Sequence, residues 1–508
     1  MKNKITKFLG FIFLGIFVLN SCTEEFLEVE PKGSSLESSY FKTADQMWSA
    51  LIAVYNPLTI QWYNDDWCIL PMSAAGAADE CLGGGGGEGD FDFIWRWDNF
   101  SLTPSQGPSR AFWYKNYLGV ARANIFLSKI EEDILDLDAT TKMRYIAEVK
   151  FLRAYYYFEL VSLFKNIVFY TDPIPLEEAF DKIQAEPDEV WTQIETDLRE
   201  AMADLPTTLS AIETGRISQG ACKALLAKVL LYKSDLYLND NSQLSEVASL
   251  LEEVNNDYGY ELQPNFPDVF SPNNAFNSER IFDIVHTNQD VSTNFDDVYG
   301  NLWVTANGPR GWSDGGVDLK YVGGWGATPV ETAFAEDMKG DPRYEYTIFN
   351  ADELVASNPG ASYQAGYQNT GYFIEKWAAT KEFQELAGGT YAFRFPHNMP
   401  VIRLADTYLL EAEALVRSGG NLTKAASYLN AVRARVGLEP VEATMENIKQ
   451  ERKYELAFEG ARWFDLVRWG DAPAILGSKG FTAGTHEIIP IPITETYNTD
   501  LVQNPNYN

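Results

Sequence analysis

Residues 451–470 read ERKYELAFEGARWFDLVRWG. Charged and aromatic side chains recur here at the spacing of successive helical turns, which predicts a helix over 444–469. Glu455, Glu459, Arg462, Asp465 and Arg468 lie close enough in sequence to suggest a catalytic cluster. They also come with partners: Glu459 and Arg462, like Asp465 and Arg468, stand three apart, where helical side chains meet. Tyr454, Phe458 and Trp463 pack alongside. Charges taken out of water need partners of opposite sign. The stretch therefore reads as a partly buried ion network that locks a last helix onto a scaffold, and Arg433 and Arg435 read the same way.

Immediately upstream, residues 402–420 (IRLADTYLLEAEALVRSGG) and 428–438 (YLNAVRARVGL) place small Ala between large apolar side chains. Two antiparallel helices need that pattern where they cross, and the expected spans are 400–418 and 422–436. Ala221 to Lys228 with Tyr232 echoes Leu404 to Ala412 with Leu415, and each is followed by a short break and a second helix. The echo resembles tetratricopeptide-type helix pairs, which stack into superhelical binding scaffolds. Further helices are expected from Thr43 to a stop at Pro57, and over 109–135, 140–164, 187–204, 218–238 and 243–256. The helix over 140–164 is apolar almost all round, so it belongs between neighbours.

Two stretches break the pattern. Residues 60–108 read as irregular, rich in Gly, Asp and Trp, with the run Gly83 to Gly87. Residues 257–400 carry Gly, Pro, Asn and aromatics with strand-like pieces such as Arg280–His286, and 485–508 reads as an extended, Pro-rich tail. The fold class is thus mostly α: tetratricopeptide-like helix pairs form a superhelical scaffold, and long irregular loops with minor β pieces carry the ligand site. The Gly run fails as a phosphate cradle, because no Gly-Lys-Ser/Thr follows it. That leaves a flexible loop, or one whose bare backbone approaches a ligand.

The motifs at 402–420, 428–438 and 451–470, with IIPIPITETYNTDLVQNPNY at 488–507, closely resemble the C-terminal half of the SusD/RagB family of outer-membrane nutrient-binding lipoproteins. RANIFLSKI at 122–130 and EVKFLRAYYYFELVSLF at 148–164 extend the resemblance over nearly the whole mature chain, in order. The resemblance implies a non-enzymatic protein that sits as a lid on a SusC-like, TonB-dependent outer-membrane barrel and delivers a glycan or other oligomer to it. It divides the chain into 41–256, an N-terminal SusD-like helical part, and 257–508, a C-terminal part that is loop-rich to 400 and helical to 470.

The first residues fit that destination. Lys2, Lys4 and Lys7 precede an apolar run from Phe8 to Leu19, too short to span about 30 Å of hydrocarbon. Residues 1–21 read as a signal peptide. Leu19-Asn20-Ser21-Cys22 resembles the lipobox of bacterial lipoproteins, which makes Cys22 the lipid attachment site and 22–40 a lipidated linker. Glu24 and Glu25 resemble an acidic tag for export to the outer face of the outer membrane; a solvated linker reads equally well.

Net charge is −32, and removing residues 1–21 with their three Lys gives 37 − 72 = −35. Such a surface repels nucleic acid and anionic headgroups. Cys68 and Cys81 share one loop-like region in an oxidising compartment, where they are available to a disulfide, and Cys222 reads as a buried thiol. His286, His397 and His486 are far apart, which speaks against a zinc site. Flanking acids Asp79, Glu80, Glu88, Asp90 and Asp92 show no EF-hand order, so no cofactor is assigned and a structural calcium has no support.

Sugar rings stack their C–H faces on aromatic side chains, so Trp and Tyr in irregular loops are the ligand candidates. One cluster holds Trp303, Trp312, Tyr321 and Trp325; the other holds Trp62, Tyr63, Trp67, Trp95 and Trp97, with Asp79 and Asn99 as polar neighbours. Trp48, Trp113, Trp191, Trp463 and Trp469 read as scaffold. A surface glycan-binding lipoprotein is the leading function. The alternatives are the same delivery role with peptide cargo, and a glycoside hydrolase, which needs two carboxylates about 5–9.5 Å apart in a cleft. A Cys22→Ala variant is expected to keep ligand binding in vitro and lose membrane retention. Fractionation of that variant with the outer membrane would show that contact with the barrel, not lipid, holds the protein there.

Overall fold

The computed structural model describes residues 40–288, 298–387 and 393–507. The expected signal peptide, Cys22, Glu24 and Glu25 lie outside them. The scaffold is a continuous stack of helices. Ala44–Tyr55 (α1) packs on Ser109–Ile130 (α2), which pairs with Ala139–Phe164 (α3). Pro187–Ala201 (α4), Gln219–Lys233 (α5), Leu244–Asp257 (α6), Leu404–Ser418 (α7) and Leu422–Arg435 (α8) then each pack on the one before. The look-alike segments are α5 and α7. They are separated in the stack by α6, so residues 258–403 form an excursion inserted between two packed neighbours.

Local chemistry sets the helix ends. Thr43 and Gln46 form a reciprocal capping box on α1, Asp138 caps α3 and Ser218 caps α5. Gly419, at φ 69°, ends α7 in the left-handed conformation. Helix α3 is buried along its length after Val149, apart from Lys150, as expected of an all-round apolar helix. It approaches α2 closely at Gly119, where a Cβ would lie 2.4 Å from the Tyr156 ring. The tail closes on the same helix: Ile489 N–H donates to Leu163 O at 2.8 Å and Asn504 Nδ2 to Phe164 O at 3.0 Å.

The helix expected over 444–469 is two helices, Met445–Glu455 (α9) and Ala461–Arg468 (α10). Between them the chain turns, with Phe458 at φ 60° and Gly460 at φ 82°. The turn exists because it aims groups that a straight helix would scatter. Glu455 and Glu459 both reach Arg403, at 2.6 and 2.7 Å, and Arg403 also holds Glu279 at 2.8 Å. Lys376 Nζ donates to Ala457 O at 2.8 Å and to Glu459 at 2.9 Å, and Trp377 Nε1 donates to Phe458 O at 2.8 Å. Arg343 joins Glu451 and Glu455 at 2.6 and 3.0 Å, and Arg435 closes the cage on Glu279 and Glu455. Burial alone would raise the Glu455 carboxyl. The surrounding guanidinium groups of Arg435, Arg403 and Arg343 instead hold it well below the usual carboxylate range.

Of the expected pairs, Asp465–Arg468 forms, at 2.8 Å. Glu459–Arg462 does not: Arg462 forks onto Asp79 at 2.7 and 2.8 Å, because the turn carries Glu459 to the other side. Arg433 pairs with Glu451 at 2.9 Å. The cluster is a buried ion network, the reading its pairing suggested.

The stretch 60–108 is more regular than expected. It contains the hairpin Trp62–Tyr63 (β1) and Asp66–Trp67 (β2) and two short helices, Leu70–Ala77 and Asp92–Asp98. The first is buried from Met72 onward and the second is under two turns long, so neither displays an amphipathic period. In 257–400, strand Arg280–Ile284 (β3) pairs antiparallel with Met399–Arg403 (β8). Arg310–Ser313 (β4) pairs with Ser362–Gln364 (β6), and Ile348–Asn350 (β5) with Tyr372–Ile374 (β7). Cys68, Cys81 and Cys222 are all free and buried, so the disulfide open to Cys68 and Cys81 is not formed. Cys68 Sγ instead donates to Ile60 O at 3.3 Å. Trp48, read as scaffold, is 39% exposed and carries Arg216 over its ring.

Arg403→Met should destabilise the fold by about 3–5 kcal/mol, read by denaturant unfolding, because three carboxylates lose their shared partner. Glu80 supplies a pH test. Burial pushes its carboxyl from 4.5 up to about 8, against one backbone bond from Phe458 N–H at 3.1 Å. A raised carboxyl loses stability as pH climbs through that window. Glu80→Gln should therefore match the parent below pH 4.5 and become the more stable protein by pH 9. Melting curves of the two proteins across that range would show the gap opening, and a gap that stays constant would mean that Glu80 titrates as an ordinary carboxyl.

Candidate functional site

The two aromatic clusters meet. In hairpin β1–β2, Asn64 and Asp65 turn the chain with φ 50° and 70°, and Trp62 stands opposite Trp67. Their rings lie 5.6 Å apart, edge to face. Trp67 is buried and serves as the hub: its ring reaches Phe91 at 5.6 Å, Phe93 at 5.9 Å and Trp325 at 5.9 Å. Trp325 also lies 6.5 Å from Phe91 with planes 28° apart. Trp62 and Trp325 are half-buried, so theirs are the rings that face outward from this group.

A second group sits on the same backbone. Trp312 meets Tyr321 at 6.2 Å, Tyr321 stacks on Phe349 at 4.2 Å, and Tyr363 meets Phe373 at 5.9 Å. Tyr321 Oη donates to Glu375 at 2.7 Å. The Trp312 Nε1–H, shielded from solvent, has no hydrogen-bond partner among the described residues. Trp312 and Tyr321 are half-buried. Strand β4 joins the groups, since it carries both Trp312 and Arg310. Arg310 Nη1 donates to Trp325 O at 2.8 Å and to Asp90 at 3.1 Å, and Asp90 in turn accepts from Gly86 N–H at 2.6 Å. Arg310 escaped the sequence reading. A lone Arg among glycines has no periodic signal, and its partner Asp90 is 220 residues away.

The Gly83–Gly87 run is what brings the clusters together. Leu82, Gly84 and Gly85 N–H donate to Pro329, Ala327 and Gly326 O at 2.9, 2.8 and 2.6 Å. From the other side, Tyr367 N–H donates to Gly85 O at 2.8 Å and Gln368 Nε2 to Gly83 O at 3.1 Å. A Cβ at Gly84 would lie 2.2 Å from Gly326 O, and one at Gly83 2.4 Å from Trp95 Cα. The bare backbone approaches other backbone, and both earlier readings of the run, a loose loop or a ligand contact, give way to a seam.

Five expected site residues stand elsewhere. Trp303 is fully buried 5.8 Å from Trp377, with its Nε1 donating to Thr328 at 3.3 Å. Trp97 is buried 5.3 Å from Trp463. Asp79 is committed to Arg462, whose charge holds it below the usual carboxylate range despite burial. Asn99 ends the short helix Asp92–Asp98 and accepts from Ser101 Oγ. Trp95 is half-buried under the Arg96 guanidinium, 5.5 Å from its ring. Trp303 and Trp97 lie on short buried helices, where a Trp is more often an anchor than a contact. Among the described residues, no group of three or more His, Cys, Asp or Glu converges as a metal site. Nor is any described helix long and apolar enough to cross a membrane.

Comparison with known proteins agrees with this architecture. The SusD family model matches residues 279–507, and a model described as starch-binding associating with outer membrane matches residues 92–231. A solved laminarin-binding SusD-like protein is 37% identical, with a TM-score of 0.85, over 92% of this chain and 100% of its own. Surface glycan-binding protein A from Bacteroides thetaiotaomicron, solved in complex with laminarihexaose, is 26% identical with a TM-score of 0.83 over 91% of this chain and 100% of its own. SusD-like protein P25 of Formosa agariphila is 25% identical over 97% of this chain and 96% of its own length. With its helix stack, ion cage and both halves matched, the chain belongs to the SusD/RagB family.

Proposed function

We propose that this protein is a lipid-anchored, cell-surface glycan-binding protein that passes oligosaccharide or polysaccharide to a SusC-like, TonB-dependent outer-membrane barrel. The observation that carries the reading is the set of half-buried rings, Trp325, Trp312 and Tyr321 from the segment that holds Arg310, and Trp62, which joins Trp325 through Trp67. Flat rings offer stacking faces to the C–H faces of sugars. The Arg310 guanidinium and the Asp90 carboxylate add a donor and an acceptor for hydroxyls at the rim. The helix stack supplies a rigid base, so that little side-chain freedom is lost on binding. The reading is one of binding without turnover: the Asp90 carboxylate is tied to Arg310 and to the Gly86 N–H, and the Glu375 carboxylate to Tyr321 and Lys320.

The relatives that bind laminarin and laminarihexaose make laminarin the first cargo to test. Titration calorimetry with laminarin, starch and a peptide library should give heat with a glycan. Trp325→Ala or Trp312→Ala should weaken that binding by about 1–3 kcal/mol, with the melting temperature as a folding control. Full affinity in both variants would remove the ring platform. New reducing ends on incubation with the glycan would make the protein a hydrolase, and heat with peptides alone would change the cargo.

A further inference from the structure

The hairpin β1–β2 has a second face. Trp62 pairs with Trp67 toward the platform, whereas Tyr63 pairs with Asp66 and points the other way, as successive strand residues must. There its ring stacks flat on Tyr114 of α2, with centroids 3.6 Å apart and planes at 7°. This stack walls a groove of about 640 Å³. The floor is made by Tyr117 and Tyr170, whose ring planes lie within 8° at 6.2 Å. Phe180, 59% exposed, and Lys182 form the opposite wall.

We propose that this groove is a second carbohydrate-contacting surface, which takes the continuation of a long glycan chain whose other part lies on the Trp62–Trp325 platform. The inference rests on the glycan-binding reading and adds chain-length selectivity to it. Three observations favour a sugar chain over other occupants. The groove shares a wall with the platform, so a chain crossing the hairpin passes from one set of rings to the other without leaving protein. Its aromatic lining is dominated by Tyr, which offers a flat face and a hydroxyl together. And its floor is already fixed: Tyr117 Oη donates to Val168 O at 2.7 Å, and Tyr157 Oη donates to Tyr170 O at 2.6 Å. Rings held in place before binding lose little entropy when a ligand arrives. Lys182 has no hydrogen bond or ion pair among the described residues, so its ammonium is available to ring oxygens and hydroxyls.

The test compares laminarin with laminarihexaose on the intact protein. Tyr114→Ala and Phe180→Ala truncate opposite walls, and both rings are exposed enough to be removed without opening the core. Each should weaken laminarin binding about fivefold or more while leaving laminarihexaose affinity within about twofold, because only the long chain engages both surfaces. Unchanged laminarin affinity in both variants, with Trp325→Ala still impaired, overturns the groove and leaves the platform standing. A parent protein that binds neither probe overturns both. Self-association of the parent that Tyr114→Ala abolishes would assign the groove to a second copy of this chain and overturn the proposal.

Discussion

The structure depends on the cage of buried charge around Arg403. That side chain ends β8 and begins α7, so it stands where the inserted excursion rejoins the helix stack. Its guanidinium binds Glu279, at the start of β3, and Glu455 and Glu459, on either side of the turn after α9. Three distant parts of the chain thus converge on one planar group. Charges so deeply buried are costly unless every one is paired. Here the arrangement is close to complete, with Arg343, Arg435 and Lys376 satisfying the remaining carboxylates and the carbonyls of the turn. The requirement for pairing gives the cage specificity: another register of the excursion would strand a charge.

The platform inherits its geometry from the cage by way of the turn. Phe458 N–H donates to Glu80, Arg462 forks onto Asp79, and a Cβ at Gly460 would lie 2.8 Å from Pro71 Cα. The segment just before the glycine run is therefore clamped on the last helices. The run itself is stitched to 326–329 by backbone alone, and to 366–368 by the Tyr367 N–H and the Gln368 side chain. Rings of the first cluster and rings of the second meet because glycine lets the two backbones approach. The residues least suggestive of chemistry in this region decide where the aromatic ones stand.

Much of the scaffold was legible because long helices advertise themselves. The period and caps of α1, the all-round apolarity of α3 and the echo between α5 and α7 are local properties. The break between α9 and α10 was not legible, since its cause is a set of partners on Arg403, Lys376 and Trp377, none of which is nearby in sequence. The same holds for the aromatic residues. Trp325 and Trp303 occur in similar Gly-rich surroundings, yet one faces outward and the other packs on Trp377.

The amino-acid sequence alone determined the mostly helical class, the pairing of helices, the charged lock at the C-terminal end and the kinship with SusD/RagB proteins. Periodicity, capping and motif order are carried by neighbours along the chain, and so survive in one dimension. The tertiary structure alone decided which Trp rings are accessible, that Asp79 belongs to Arg462, that Arg310 stands between the ring groups, and that the glycine run is a seam. Each of these depends on what arrives from hundreds of residues away, and burial or a long-range partner leaves no trace in local spacing.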